Sequence, residues 1–243
     1  IQETLTRAIG QSGDRATGHS EDVVPQIARL PDRRTADQAV TMKAVVLRAY
    51  GGPEELKLEE LPRPTPAPEE ALLRVRACGV CHLDMIVRSG MRSRPKLPLV
   101  LGHELSGEIV EVGHAVTDFA PGDRVASINY QVCGECKWCR VGRVSLCMHP
   151  RGEIGQVRQG GYAEYVAIPR ANLVRIPEGL PFEHACLGAC CFAPPYKAVR
   201  QVGRVRPGET VVVTGASGGL GMAAIQIARF SGARTIGITT SPE

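Results

Sequence analysis

Four cysteines impose the tightest constraint on this chain. Cys133-Gly-Glu-Cys136-Lys-Trp-Cys139 is followed after seven residues by Cys147, the pattern C-x2-C-x2-C-x7-C. Two-residue spacers let a tight turn aim successive thiolates at one tetrahedral metal about 2.3 Å from each sulfur. Gly134 and Gly142 supply the turning freedom. With every corner filled by sulfur such a site is closed, so its role is structural. An iron–sulfur cluster is the chemical competitor, although ferredoxin runs place a proline directly after their last cysteine and space it differently. Unlinked buried thiols are the plain alternative. A disulfide framework fits poorly, because nine cysteines is an odd count in a long chain with no signal-like segment.

Organisation changes along the chain. Residues 1–41 are polar, lack periodicity and run through Gly13, Gly18, Pro25 and Pro31, so they read as a disordered or non-native extension. Glu3, Asp14, Glu21 and other acids argue against a mitochondrial transit peptide. From Met42 to about 180, short β runs alternate with Gly and Pro. Ala71–Arg76, Gly107–Val112, Arg124–Ser127 and Ala163–Ile168 are examples, and their even spacing predicts an all-β, barrel-like domain. Pro62–Pro68 is too rich in proline for a central strand and is expected as a surface connection.

Residues 181–243 have another character. A linker helix leads to Thr210-Val-Val-Val-Thr214, a β-branched run expected to be buried on both faces. Met222–Phe230 has helical composition, and Arg234–Thr239 reads as a second strand. The result is one β-α-β unit, the opening of a doubly wound sheet. One such unit cannot cover both faces of a sheet. The sequence is therefore expected to stop short of the fold it specifies, and the chain alone to be inactive.

Several partner classes are excluded. Basic residues are interleaved with acids despite a net charge of +4, so no stripe for nucleic acid stands out. No apolar run approaches the roughly 20 residues of a membrane span. A soluble, cytoplasmic protein acting on a small molecule is the expectation.

Two further segments carry chemistry. Gly102-His103-Glu104 ends the apolar approach Leu97–Leu101, and Cys81-His82-Leu83-Asp84 lies upstream. Taken singly, such a histidine or cysteine reads as a core residue. Thr214-Gly-Ala216-Ser-Gly218-Gly219-Leu220-Gly221 follows a strand and opens a helix, the setting in which a glycine-rich string seats a dinucleotide. Gly218 lets backbone approach a pyrophosphate at the helix N-terminus, and Gly221 permits close helix–strand packing. At the end of the second strand stand Thr239 and Thr240, with no acid for a ribose 2′-hydroxyl. NADP is favoured over NAD on that ground.

Gly102-His103-Glu104-x2-Gly107-x5-Gly113-x2-Val116 resembles the zinc alcohol dehydrogenase pattern of the medium-chain dehydrogenase/reductase family. The likeness continues through the four-cysteine run, Gly161-Tyr-Ala-Glu-Tyr-Val166 and the β-α-β opening. It implies a β-rich GroES-like barrel domain with a zinc lobe at 133–147, then the start of an α/β Rossmann domain. It also implies two zincs per chain, the second held in an open site by Cys81, His103 and Cys190. Cys191 is the alternative third ligand. Glu104 is expected beside that metal and Asp84 behind His103, orienting its ring. Cys78, despite its C-x2-C spacing to Cys81, is expected to be a buried structural thiol. By the same resemblance His82 contacts the pyrophosphate, while Ala216, replacing a family glycine, joins Gly218, Gly219, Leu220, Gly221 and Thr239 at the cofactor.

The pattern also departs from the family. Alcohol-oxidising members usually carry Ser or Thr two residues after the first zinc cysteine, starting a proton relay. Leu83 stands there, and Ile86 replaces a histidine that ends the relay in some members. Cys81–Asp84, Val211–Gly219 and Ile238–Glu243 resemble the acryloyl-CoA reductase branch, which uses NADPH. The expected activity is hydride transfer between NAD(P)H and an alcohol, carbonyl or conjugated enoyl substrate. A non-catalytic zinc-binding member and an inactive fragment are the rival readings. The full-length parent is expected to be a homo-oligomer.

Overall fold

A computed structural model describes residues 40–91 and 95–240. The extension expected at 1–41 lies almost wholly outside the described residues, as do Ser241, Pro242 and Glu243. The described chain forms two compact units. One contains Val132–Arg151, and the other contains Thr41–Gln131 and the chain from Gly152 onward.

The larger unit is built on antiparallel strands. β1 (Thr41–Leu47), β2 (Leu56–Pro62), β3 (Glu70–Gly79), β4 (Leu99–Val100), β5 (Glu104–Val112) and β6 (Arg124–Ser127) come first. β7 (Tyr130–Gln131), β8 (Gly152–Glu153), β9 (Tyr165–Pro169) and β10 (Leu173–Arg175) follow. They form a three-stranded sheet in the order β2-β1-β4, a five-stranded sheet β10-β6-β5-β3-β9, and the β7-β8 pair. In β1 the two-residue period is visible, since Met42, Ala44 and Val46 are buried while Thr41 and Lys43 face water. The main core joins Ala71 and Leu73 of β3, Leu105 and Ile109 of β5, Val125 of β6 and Ile168 of β9. Each fully buried Leu or Ile contributes roughly 1.5–3 kcal/mol. Pro62 ends β2 at the sheet edge, where a missing N–H costs no ladder bond.

Helix α1 (His82–Ser89) follows β3 directly. Cys81 caps it: the Asp84 carboxylate accepts the Cys81 N–H, and the Cys81 side chain meets the Asp84 backbone in return. Its inner face packs Val87 and Leu83 against Leu47, Leu99 and Leu101. Much later, Phe182–Ala185, Gly188–Phe192, Ala193–Tyr196 and Lys197–Val202 form a nearly continuous helical run. Gly188–Phe192 and Lys197–Val202 are wound as π turns, with Phe192 N–H reaching Leu187 and Gly203 N–H reaching Ala198. Pro194 and Pro195 have no N–H to donate to the preceding turn, and the wider turn before them accommodates that loss.

The chain then makes a parallel pair. β11 (Thr210–Thr214) and β12 (Arg234–Ile238) are in register from Thr210↔Arg234 to Thr214↔Ile238. Helix α2 (Gly219–Phe230) connects them, burying Ala223 and Ala228. A Cβ on Gly221 would stand 2.1 Å from the Gly215 carbonyl oxygen, so only glycine lets helix and strand meet this closely. The strand β11 departs from the sequence expectation. β11 is not buried on both faces: Val213 is buried, but Val212 is 56% exposed. With two strands and one helix in this layer, among the described residues, α2 covers a single face.

Candidate functional site

β3 ends at Gly79, α1 begins at His82, and β5 begins at Glu104. Cys81 sits on the first junction and His103 on the approach to β5. Gly102 makes that approach possible: its φ is +93°, and a Cβ there would fall 2.6 Å from the Tyr162 ring. The π turn Gly188–Phe192 brings Cys190 to the same place. The ligand atoms of Cys81, His103, Glu104 and Cys190 all lie within 4.8 Å of one another. Cys81 Sγ is 3.9 Å from Cys190 Sγ, and Cys190 Sγ is 3.5 Å from His103 Nε2.

These separations match a tetrahedral centre. Two sulfurs 2.3 Å from one zinc stand about 3.8 Å apart, and sulfur and imidazole nitrogen about 3.6 Å. They exclude a disulfide, whose sulfurs sit near 2.05 Å, and all nine cysteines are free. Burial, with Glu104 and Cys81 adding to it, pushes the Cys190 thiol well above its usual range. A thiolate there needs a cation beside it. Two sulfurs, an imidazole and a carboxylate are the donor set that borderline-soft zinc accepts.

His103 is fully buried and its ring is held from behind. Its Nδ1 is 3.0 Å from Asp84 Oδ1, which leaves Nε2 facing the two sulfurs. Burial opposes charge on both partners, but their hydrogen bond and mutual attraction outweigh it, so Asp84 is lowered and His103 raised. Asp84 Oδ2 accepts from Cys81 N–H at 3.0 Å and from the Tyr162 hydroxyl at 2.8 Å. Spacing alone gives no sign of the Tyr162 contact, since its partner is 78 residues away. Cys78 stays out of the cluster, and burial pushes its thiol to about 12.

The structure separates the two candidates for third ligand. Cys190 points into the cluster, whereas Cys191 Sγ is 3.4 Å from the Gly219 carbonyl oxygen at the glycine-rich turn. That turn joins β11 to α2 through Ala216 and Gly218, with Gly218 as the N-cap. Gly219 and Leu220 are exposed at the helix start, where free N–H groups favour an anion. Ser217 Oγ lies 2.9 Å from Thr239 Oγ1, linking the turn to the end of β12. His82 is exposed at the first position of α1 and takes no part in the metal-ligand cluster.

The smaller unit holds the four-cysteine group. Cys133, Cys136, Cys139 and Cys147 present sulfurs within 4.8 Å of one another. Individual pairs stand at 3.9 Å (Cys133–Cys139), 3.6 Å (Cys136–Cys139) and 3.5 Å (Cys133–Cys147), again the edges of a tetrahedron. Backbone N–H groups of Cys133 and Cys136 point at Cys147 and Cys133 sulfurs at 3.3 and 3.4 Å. Backbone N–H groups lower Cys136 to about 6 and hold Cys147 below the usual thiol range, while burial pushes Cys139 up to about 12.

Known proteins resemble this chain over most of its length. Residues 67–178 match the alcohol dehydrogenase GroES-like domain. An acryloyl-coenzyme A reductase from Sulfurisphaera tokodaii is 41% identical over 203 residues, which is 83% of this chain and 60% of that protein. A solved NAD-dependent alcohol dehydrogenase superposes with a TM-score of 0.77 at 43% identity, covering 82% of this chain and 58% of the other. A cobalt- and zinc-bound thermostable alcohol dehydrogenase from Pyrobaculum aerophilum gives 0.77 at 34% identity, covering 83% and 60%. Residues 67–178 thus carry the alcohol dehydrogenase GroES-like domain, and the chain is similar over most of its length to alcohol dehydrogenases and acryloyl-coenzyme A reductases. It spans about 60% of the length of the curated relatives it matches. No helix among the described residues is long and apolar enough to cross a membrane.

Proposed function

We propose that the protein is a zinc- and NADP-dependent oxidoreductase whose substrate is a conjugated enoyl thioester of the acryloyl-CoA type. The observation that carries this reading is the meeting of Cys81, His103, Glu104 and Cys190 within 4.8 Å. In it Cys81, His103 and Cys190 hold a zinc with an open position, and the lobe cysteines hold a second, closed one. Zinc bound there supplies a Lewis acid for a carbonyl oxygen. The nicotinamide cofactor supplies or accepts the hydride.

This chain's residues do the positioning. Asp84 keeps the His103 proton on Nδ1 and the Nε2 lone pair toward the metal position. Glu104, 5% exposed, stands beside that position. Gly218, Gly219, Leu220 and Gly221 open α2 toward a pyrophosphate, with Ala216, His82 and Thr239 completing the cofactor site. Thr239 and Ser217 offer hydroxyls where an NAD-specific site offers an acid.

Leu83 favours the enoyl substrate over an alcohol. It packs against the cluster of Leu47, Val87, Leu99 and Leu101 and has no proton to relay. Similarity to alcohol dehydrogenases supports a second reading, in which a simple carbonyl or alcohol is the substrate. We also take the protein to be a cytoplasmic homo-oligomer acting on a small molecule.

The test is a substrate panel on the full-length protein that carries this sequence. Acryloyl-CoA reduction with NADPH is expected to exceed primary-alcohol oxidation by at least about 100-fold in kcat/KM, the scale of a missing acid–base group. Equal turnover of a primary alcohol would favour the second reading.

A further inference from the structure

Tyr162 lies just before β9 and reaches across to the back of the metal-ligand cluster. Its hydroxyl donates to Asp84 Oδ2 at 2.8 Å, with the Gly79 carbonyl oxygen at 3.4 Å. Asp84 is 4% exposed, and its carboxylate collects four donors. Cys81 N–H and the Tyr162 hydroxyl meet Oδ2, while His103 Nδ1 at 3.0 Å and Gly102 N–H at 3.4 Å meet Oδ1. Three of these come from proposed ligands or a residue next to one. Tyr162 alone brings a donor from elsewhere in the chain.

The phenol has little freedom to do anything else. The residue packs against two apolar clusters, one of Met42, Ala44, Val46 and Val100 and the other of Leu47, Val87, Leu99 and Leu101. Gly102 passes so close that a Cβ would stand 2.6 Å from a ring carbon. Backbone bonds pin the residue too, from Tyr162 N–H to Leu101 at 3.0 Å and from Val45 N–H to Tyr162 at 2.7 Å. The hydroxyl is thus delivered by a fixed scaffold to one carboxylate oxygen. A carboxylate torsion is soft on its own, and the Tyr162 hydroxyl joins Cys81 N–H as a second donor on Oδ2, which leaves Oδ1 to His103.

We propose that Tyr162 is a positioning residue for the open metal site. Its hydroxyl holds the Asp84 carboxylate so that Oδ1 stays on His103 Nδ1 and Nε2 stays aimed at the metal. The proposal rests on the zinc reading above. Tyr162→Phe removes the hydroxyl, keeps the packed ring, and leaves Oδ2 short of a buried donor.

The test measures metal affinity in the full-length protein by competition with a chromophoric chelator, and the visible spectrum of the cobalt-substituted form. Tyr162→Phe is expected to loosen the open-site metal about 3–10-fold, less than the 10–100-fold typical of removing a direct hydrogen-bond partner of a ligand. The four-cysteine site serves as the internal reference and should be unmoved. Because Tyr162 acts through Asp84, the double variant with Asp84→Asn should bind no more weakly than Asp84→Asn alone. Wild-type affinity and spectrum in Tyr162→Phe, or full additivity in the double variant, would overturn the proposal. Should the phenylalanine variant fail to fold, 3-fluorotyrosine at 162 keeps ring and hydroxyl and makes the phenol a stronger donor. It should then move the open-site cobalt band, and an unmoved band would count against the proposal. A wild-type protein that binds one metal per chain, in the lobe only, overturns the zinc reading itself, a different result from either.

Discussion

Cys81 Sγ and Cys190 Sγ stand 3.9 Å apart although 109 residues separate them in the chain. One ends the loop after β3 and the other lies on a π turn that precedes two prolines. Nothing local brings these sulfurs together. A fold that packs the helical run against the strands does so, and the separation suits two ligands of one tetrahedral ion.

That geometry favours Cys190 over Cys191 as the proposed third ligand. Cys190→Ala is expected to remove the open-site metal, whereas Cys191→Ala, whose thiol faces Gly219, should retain it. Zinc content per chain checks both, and a Cys191→Ala protein that loses the metal would reverse the assignment.

The two metal groups should differ in what their loss does. Removing a lobe sulfur, as in Cys139→Ala, should lower the melting temperature and let a chelator strip the lobe metal more readily. Cys81→Ala should melt close to wild type and lose turnover. Differential scanning calorimetry on both variants distinguishes a structural role from a catalytic one, and matched melting temperatures would contradict the division.

Gly221→Ala should disturb the glycine-rich turn. The added carbon would fall 2.1 Å from the Gly215 oxygen, so α2 must move off β11. Overpacking of this kind costs about 1–3 kcal/mol. A denaturant midpoint and an NADPH titration read the two consequences, and unchanged cofactor affinity would show that the turn does not seat the pyrophosphate.

Acid should weaken the larger unit in part through Asp118 and Asp123. Hydrogen bonds from Arg170 and Arg175, aided by the positive charge, hold these carboxyls below the usual carboxylate range. A lowered folded-state pKa means the unfolded chain binds more protons, so this stability is present above about pH 4 and lost as pH falls through the lowered values. Both acids are partly exposed, so the effect is small and salt-sensitive. Arg170→Gln/Arg175→Gln should flatten the difference in urea midpoint between pH 6 and pH 3; an unchanged difference would assign it to other groups.

Much of the fold was legible because it is local. Arg124–Ser127 and Thr210–Thr214 are strands with the bounds read from their β-branched and Gly/Pro-bracketed runs. Tyr130–Gln131 and Gly152–Glu153 were not legible, since two residues carry no alternation. Val212 was expected to be buried because its strand reads as a central one, yet burial depends on neighbours and not on the run itself. At the site, Cys133 to Cys147 could be read from spacing alone. Cys81, His103 and Cys190 needed the family resemblance, because ligands from three separate elements have no common period. The Tyr162–Asp84 bond lay beyond both, since a motif says which residue recurs and not where its hydroxyl points.

The most direct measurement is the zinc content of the purified full-length protein and of its Cys81→Ala variant, by atomic emission on matched protein concentrations. Two zincs per chain in the wild type and one in the variant are predicted. One zinc in the wild type, kept in full by Cys81→Ala, would contradict the account of an open metal site at Cys81, His103 and Cys190.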